Sequence, residues 1–230
     1  LADFTLTLRG EVVAEQVRWT PNRFNFVGFP VAGTGSPTFR QYFQGSAALN
    51  HSKIYRLVNG AWRQVLNPDA ETLRSGEAFW IYCEGASEYQ GPLLVTANSS
   101  LGLVLGDAVK GNIEFRNATT HPVSFSLEQV AADGAAGLPL AAVMSASVSN
   151  MIGKIDAPVH FPDGAWRQDF PAFDAGGGLT LPVVLRVKEL QPGRYSGLLK
   201  VTSDLGTETW LPVRARSEER RVGKECRSRW

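Results

Sequence analysis

Gly111-Asn-Ile-Glu-Phe-Arg116, a turn from Asn117 to Pro122, then Val123-Ser-Phe-Ser-Leu-Glu128: in both runs apolar and polar residues alternate. Successive side chains of a strand point to opposite faces, so a period of two predicts two half-buried strands and no helix. Leu179, Leu181, Val183, Leu185 and Val187 hold the same period further on. Arg194 to Thr202 and Thr207 to Arg214 make a last pair that turns at Ser203-Asp204-Leu205-Gly206. Gly/Ala/Pro-rich loops lie between, at Ala131 to Pro139 and Pro171 to Gly178. Short alternating strands with such loops predict an antiparallel sandwich over about Leu101 to Ala215.

Upstream, Thr5 to Val13 reads as a strand, with Phe4, Leu6 and Leu8 on one face. Phe24 to Phe29 is a second apolar stretch. One short helix follows: Ser36 as cap, Pro37 at the first position, and Phe39, Tyr42 and Phe43 at i, i+3, i+4 before Gly45. Ile54-Tyr-Arg-Leu-Val58, Asn59-Gly60 and Ala61-Trp-Arg-Gln-Val65 form the strongest hairpin signal, because a type I′ turn needs positive φ at both central residues. Glu77 to Cys83 is apolar at nearly every position, which predicts a central strand covered on both faces. Leu93 to Thr96 closes a first module spanning residues 1–95, and the small polar run at residues 96–100 reads as a linker. The predicted fold class is all-β, a small β module with one short helix followed by a sandwich.

The stretches IEFRNATTHPVSFSLE, LTLPVVLRV, PGRYSGLLKVTSD and WLPVRA resemble bacterial immunoglobulin-like sandwiches of the Hydin/MSP-like group. Those share an N-x-T-x-x-P turn between early strands and a P-G-x-Y-x-G opening to the penultimate one. The resemblance covers residues 101–215 and implies that Tyr195 is a corner tyrosine, its hydroxyl tied to nearby backbone. The insertion from Ala131 to Pro171 departs from the compact pattern, so the strand order there is left open. FNFVGFPV and SGEAFWIYCEGASEYQGPL are similar to a small β module found ahead of such sandwiches in bacterial envelope proteins.

Arg216 to Trp230, RSEERRVGKECRSRW, resembles the conceptual translation of a common sequencing adapter, and nine of its fifteen residues are charged. It is expected to be an artefactual or disordered tail. The chain has 23 Lys+Arg and 22 Asp+Glu; six of the basic and three of the acidic residues are in the tail, so the remainder carries 17 and 19, a net of −2. That removes the electrostatic case for nucleic acid. Cys226 is also in the tail, so Cys83 has no partner for an internal disulfide. No apolar run approaches the roughly 20 residues of a membrane span, so no membrane insertion of this segment is expected. Leu1 is not an initiator Met, and the chain reads as starting inside a longer protein.

Chemistry-bearing constellations are sparse. His51, His121 and His160 have no metal-ligand spacing and read as solvated loop residues. Asp156, Asp163 and Asp174 read as turn carboxylates, without EF-hand spacing. Cys83, in an apolar strand, reads as an inert buried thiol, and Gly33-Thr-Gly35 as a loop. No catalytic residue, metal site or cofactor is expected. Trp62, Trp80, Tyr82, Tyr55 and Tyr89 cluster in the first module, and Trp80 and Tyr82 share a face by parity. Two readings compete: the rings are the core of a small module, which is favoured, or they form an exposed strip for stacking sugars or anchoring a protein. The leading expectation is a non-catalytic structural or spacer unit of an exported bacterial cell-surface or secreted protein, contacting neighbouring domains. A glycan- or protein-binding module at Trp62, Trp80 and Tyr82 is the alternative.

Overall fold

The computed structural model describes Gly10 and residues 12–13, 16–105, 110–130, 137–147, 154–160, 166–186 and 190–217; for 143–147 and 154–160 only the backbone is described. The expected strand at Thr5 to Val13 lies largely outside these residues, as does the tail beyond Ser217.

The first module is an antiparallel sheet of β1 (Arg23–Gly28), β2 (Ile54–Val58), β3 (Ala61–Gln64) and β4 (Ala78–Cys83), in the order β1-β4-β2-β3. Asn59 and Gly60 have φ of 50° and 79°, as the Asn-Gly turn between β2 and β3 requires. Helix α1 (Phe39–Phe43) packs beneath, burying Phe39, Tyr42 and Phe43. Its cap is Thr38, not Ser36. Thr38 Oγ1 accepts from the Gln41 amide at 3.1 Å, and Gln41 Oε1 accepts from the Thr38 amide at 2.9 Å. This reciprocal box satisfies two amide donors at the helix start, whereas Ser36 donates its hydroxyl back to the Ala32 carbonyl.

The sandwich has two five-stranded sheets. One runs β10-β9-β12-β7-β5 and the other β11-β8-β13-β14-β6. The elements are β5 (Leu93–Ala97), β6 (Leu103–Leu105), β7 (Lys110–Asn117), β8 (Val123–Val130), β9 (Leu140–Ser147), β10 (Lys154–His160), β11 (Trp166–Phe173), β12 (Gly178–Leu185), β13 (Gly193–Ser203) and β14 (Glu208–Ser217). The alternation of β7 is realised residue by residue: Ile113 and Phe115 are buried, Glu114 and Arg116 exposed. Phe115 from one sheet stacks on Phe125 from the other at 4.3 Å between ring centroids, and Phe125 on Phe170 at 4.7 Å. All described pairings are antiparallel except β6 with β14. The fold class is as expected, an all-β chain ending in an immunoglobulin-like sandwich. The inserted segment resolves as β9 and β10 on one sheet, followed by β11 on the other.

Three boundaries differ from the sequence reading. Leu93–Ala97 does not close the first module but pairs with β7, Val95 opposite Phe115. Residues 96–100 are not a linker: they end β5 and turn into β6, with the Asn98 side chain both accepting from the Val104 amide and donating to its carbonyl. A small polar run has the same composition in a tight turn as in a linker, because both favour short hydrogen-bonding side chains. Third, β14 continues past Ala215, with Arg216 opposite Arg194 and Ser217, itself buried, opposite Gly193. The first two residues assigned to the tail therefore belong to the sandwich.

Tyr195 donates its hydroxyl to the Gln191 carbonyl at 2.7 Å, and its half-buried ring packs on the sandwich core. This is the geometry of a corner tyrosine, but at an exposed end where water can replace the bond. Tyr195→Phe is therefore expected to cost only about 0.5 kcal/mol and Tyr195→Ala about 2 kcal/mol, measured by urea unfolding. An alanine variant as stable as the phenylalanine one would mean that the ring anchors nothing.

The modules touch directly. Val31 bridges Thr207, with the Ala32 amide donating to the Gly206 carbonyl at 2.8 Å and the Glu208 amide to the Pro30 carbonyl at 2.9 Å. A second contact joins the end of α1 to the β7–β8 turn, where Thr120 Oγ1 donates to Gln44 Oε1 at 3.0 Å. Next to it the Ala118 amide donates to the Pro92 carbonyl at 2.8 Å, which continues the β5–β7 pairing.

Candidate functional site

The first sheet is built inside out. On β1 it is Asn25 that is buried, while Phe24 and Phe26 on either side face outward. Asn25 is held there by Oδ1 accepting from the Thr20 amide at 2.8 Å, and by Nδ2 donating to the carbonyls of Thr20 and Arg23. On β2 Arg56 is buried, and Leu57 beside it is exposed. The Arg56 guanidinium pairs with Glu77, lies 3.7 Å from Glu71, and sits 5.9 Å over the Phe79 ring. On β4 the buried residues are Phe79, Ile81 and Cys83, leaving Trp80 and Tyr82 on the other side. A buried amide and a buried cation are costly unless fully bonded. Here both are bonded, so the sheet turns its rings outward.

Register then brings the rings together. Phe26 lies opposite Trp80, Phe24 opposite Tyr82, Tyr55 opposite Trp80, and Leu57 opposite Trp62. Centroid separations are 5.0 Å for Phe26 to Trp80, 5.9 Å for Phe26 to Trp62, 6.3 Å for Trp62 to Trp80, 5.2 Å for Phe24 to Tyr82 and 5.7 Å for Phe24 to Tyr55. Exposed fractions are 43% for Phe24, 55% for Phe26, 53% for Leu57, 44% for Trp62 and 37% for Trp80, with Tyr55 and Tyr82 half-buried. Isolated apolar residues on a surface are ordinary, whereas here they form one contiguous patch.

The favoured sequence reading, that these rings are the module's core, is thus corrected. So is the expectation that β4 is covered on both faces: it is central in the sheet but covered on one. The core is instead Trp19, Phe29, Phe39, Tyr42, Phe43, Leu49, Leu73, Phe79 and Ile81. Tyr89 belongs to that side as well, its hydroxyl donating to the Tyr42 carbonyl and its own carbonyl accepting from Trp19 Nε1. Burial pushes the phenols of Tyr42 and Tyr89 well above the usual tyrosine range. Trp62, Trp80 and Tyr82 lie on one exposed face, and Phe24, Phe26 and Leu57, which the sequence reading did not include, lie there with them. The available signal was a buried-type polar residue between outward apolar ones, Asn25 in Phe-Asn-Phe and Arg56 in Tyr-Arg-Leu.

The other candidates stay scattered. Cys83 is buried, its thiol pushed up by desolvation and directed at the Gly85 carbonyl at 3.3 Å. His51 and His121 are exposed, while His160 and Asp156 lie in β10 and not in loops. Among the described residues no three His, Cys, Asp or Glu side chains converge, and no helix is long and apolar enough to cross a membrane. A cleft of ≈ 590 Å³ lined by Gly33, Gly35, Ser36, Thr72, Leu73, Arg74 and Ser75 shares no residue with the aromatic face.

No protein-family model and no curated protein matches the chain. Among solved structures it is similar to the seventh PapD-like (ASH) domain of human CEP192, at 10% identity and a TM-score of 0.31, over 55% of this chain and 84% of that one.

Proposed function

We propose that this chain is a non-catalytic pair of β modules from a larger exported bacterial protein, cell-surface or secreted, whose working part is the aromatic face of the first sheet. The observation that carries the reading is the inversion of that sheet, Asn25 and Arg56 inside, Phe24, Phe26, Trp62 and Trp80 outside. Aromatic faces serve sugars by stacking and proteins by burial, so the ligand class is a glycan or a surface protein. The bacterial and exported setting is supported by the resemblance of the second module to Hydin/MSP-like sandwiches. Lack of a nucleophile–base or acid–base set in the sequence supports a role without catalysis or cofactor.

A spacer role is the second reading, favoured by the two-point contact between modules, which holds neighbouring domains at a set distance. The test is whether the face binds. Neutral oligosaccharides such as chitohexaose are titrated into the full chain and followed by tryptophan fluorescence, and protein association is followed by sedimentation. Either response is expected to fall at least about tenfold in Trp80→Ala, since central aromatic anchors carry that much or more. If neither method gives a response that depends on Trp80, the face is inert and only the spacer reading stands.

A further inference from the structure

Of the two ligand classes, the ring geometry separates them. Stacking a run of sugars calls for ring faces lying in one plane. Here four of the five neighbouring ring pairs stand at steep angles: 87° between Phe26 and Trp62, 69° between Trp62 and Trp80, 69° between Phe24 and Tyr82, and 70° between Phe24 and Tyr55. The fifth, Phe26 with Trp80, is tilted by 39°. Edge-to-face rings satisfy one another's quadrupoles and leave a ridged surface of edges and grooves. Such a surface suits the interdigitation of two sheet faces about 10 Å apart.

We propose that the aromatic face is a self-association surface, occupied by the same face of a second copy of this chain. The proposal rests on the binding role of that face and names its partner. Three features fix the choice. First, the seven residues Phe24, Phe26, Tyr55, Leu57, Trp62, Trp80 and Tyr82 are uncharged. The exposed charges of matching parity at the edge, Lys53 and Glu84, are of opposite sign, so two copies can meet without a buried like-charge pair. Self-complementarity is what a two-fold interface demands, because each residue must tolerate its own neighbours across the axis. Second, area: the exposed parts of Phe24, Phe26, Leu57, Trp62 and Trp80 amount to roughly 500 Å² per copy, or about 1,000 Å² for a fully covered pair, which is about the lower bound of a specific interface. Third, among the described residues one layer covers the sheet. Helix α1 and the buried residues of β4 fill its inner side, and a sheet with two apolar faces is completed by a second sheet.

Sedimentation velocity on the full chain from about 1 to about 100 µM spans the affinities such an area supports. The expected result is a concentration-dependent dimer. Leu57→Lys and Trp62→Lys, both at exposed positions, should remain monomeric over that range with unchanged circular dichroism. Phe26→Ser, at the centre of the ring cluster, should raise the dissociation constant at least about tenfold. Wild-type chain that stays monomeric overturns the proposal, as does a dimer that survives Leu57→Lys and Trp62→Lys. The oligosaccharide titration separates the two failures: a monomer whose tryptophan signal responds saturably, in a Trp80-dependent way, keeps the binding role and loses the second copy. A monomer with no such response loses both.

Discussion

Asn117→Ala is expected to lower the unfolding free energy by on the order of 4 kcal/mol, among the largest losses available from one side chain that is not a large core residue. Asn117 is fully buried at the end of β7, and every polar atom of its amide is used. Nδ2 has two N–H groups, one directed at the His121 carbonyl at 2.8 Å and the other shared between the carbonyls of Phe173 at 3.1 Å and Asp174 at 3.2 Å. Oδ1 accepts from the Thr119 amide and hydroxyl, both at 2.8 Å. The side chain thus ties the β7–β8 turn to the β11–β12 connection across 57 residues of sequence. Truncation removes the side-chain partner of the buried Thr119 amide and of the Phe173 carbonyl, while the Thr119 hydroxyl keeps the His121 carbonyl and the Asp174 carbonyl keeps the Gly177 amide. Asn117→Asp keeps the shape but turns the three donated bonds into repulsions between a carboxylate and carbonyl oxygens, so it should be no better than alanine. For a chain of this size the loss corresponds to a fall in melting temperature of about 10 °C. Urea midpoints of the two variants decide it: a cost below about 1 kcal/mol in either would mean that water takes over the bonds.

How far such features could be read in advance depends on whether the deciding contact is local. The Asn59–Gly60 hairpin was legible because its turn chemistry is complete in two residues, and β7, β8, β12 and β13 because a half-buried strand writes its two faces into alternate positions. Asn117 was marked only through a turn pattern. The aromatic face was misread for a definite reason. Phe-Asn-Phe and Tyr-Arg-Leu alternate correctly for strands, but periodicity gives the parity of a face and not its direction. Direction was set by side-chain contacts that periodicity does not encode, Arg56 to Glu77 from another strand's approach and Asn25 to the chain five residues before it at Thr20, which satisfy a polar inner position. The module boundary failed for a similar reason. Residues 93–97 carry no mark of which sheet they join, and their partner Phe115 comes after two turns.

Those long-range contacts also decide whether the modules behave as one body, and Gly45→Ala is the sharpest probe of that. A Cβ placed on Gly45 would lie 1.7 Å from the Ala118 carbonyl oxygen and 2.8 Å from its carbon, with the Tyr89 ring 3.4 Å away. Backbone on both sides cannot yield as a flexible side chain would, so the surfaces must part by more than an ångström. Parting them gives up the Thr120 bond to Gln44, and displacing the Ala118 peptide strains its amide bond to Pro92 at the end of the β5–β7 pairing. We expect a loss of roughly 3 kcal/mol or more, similar to overpacking against rigid backbone. The loss should be felt at the contact and not in the cores. In native-state hydrogen exchange, protection of the Ala118 amide should fall at least about a hundredfold while those of Ile113 and Leu127 hold, because local opening and global unfolding are separate processes. Gly206→Ala tests the other contact by the same logic: its Cβ would meet the Gly35 carbonyl oxygen at 2.3 Å, and its φ of +76° already disfavours a side chain. There the amide to watch is Ala32, which donates to the Gly206 carbonyl. If each substitution weakens only its own contact, the two modules are hinged at two independent points. If either one exposes both Ala118 and Ala32, the contacts form cooperatively, and the aromatic face is carried on a single rigid unit.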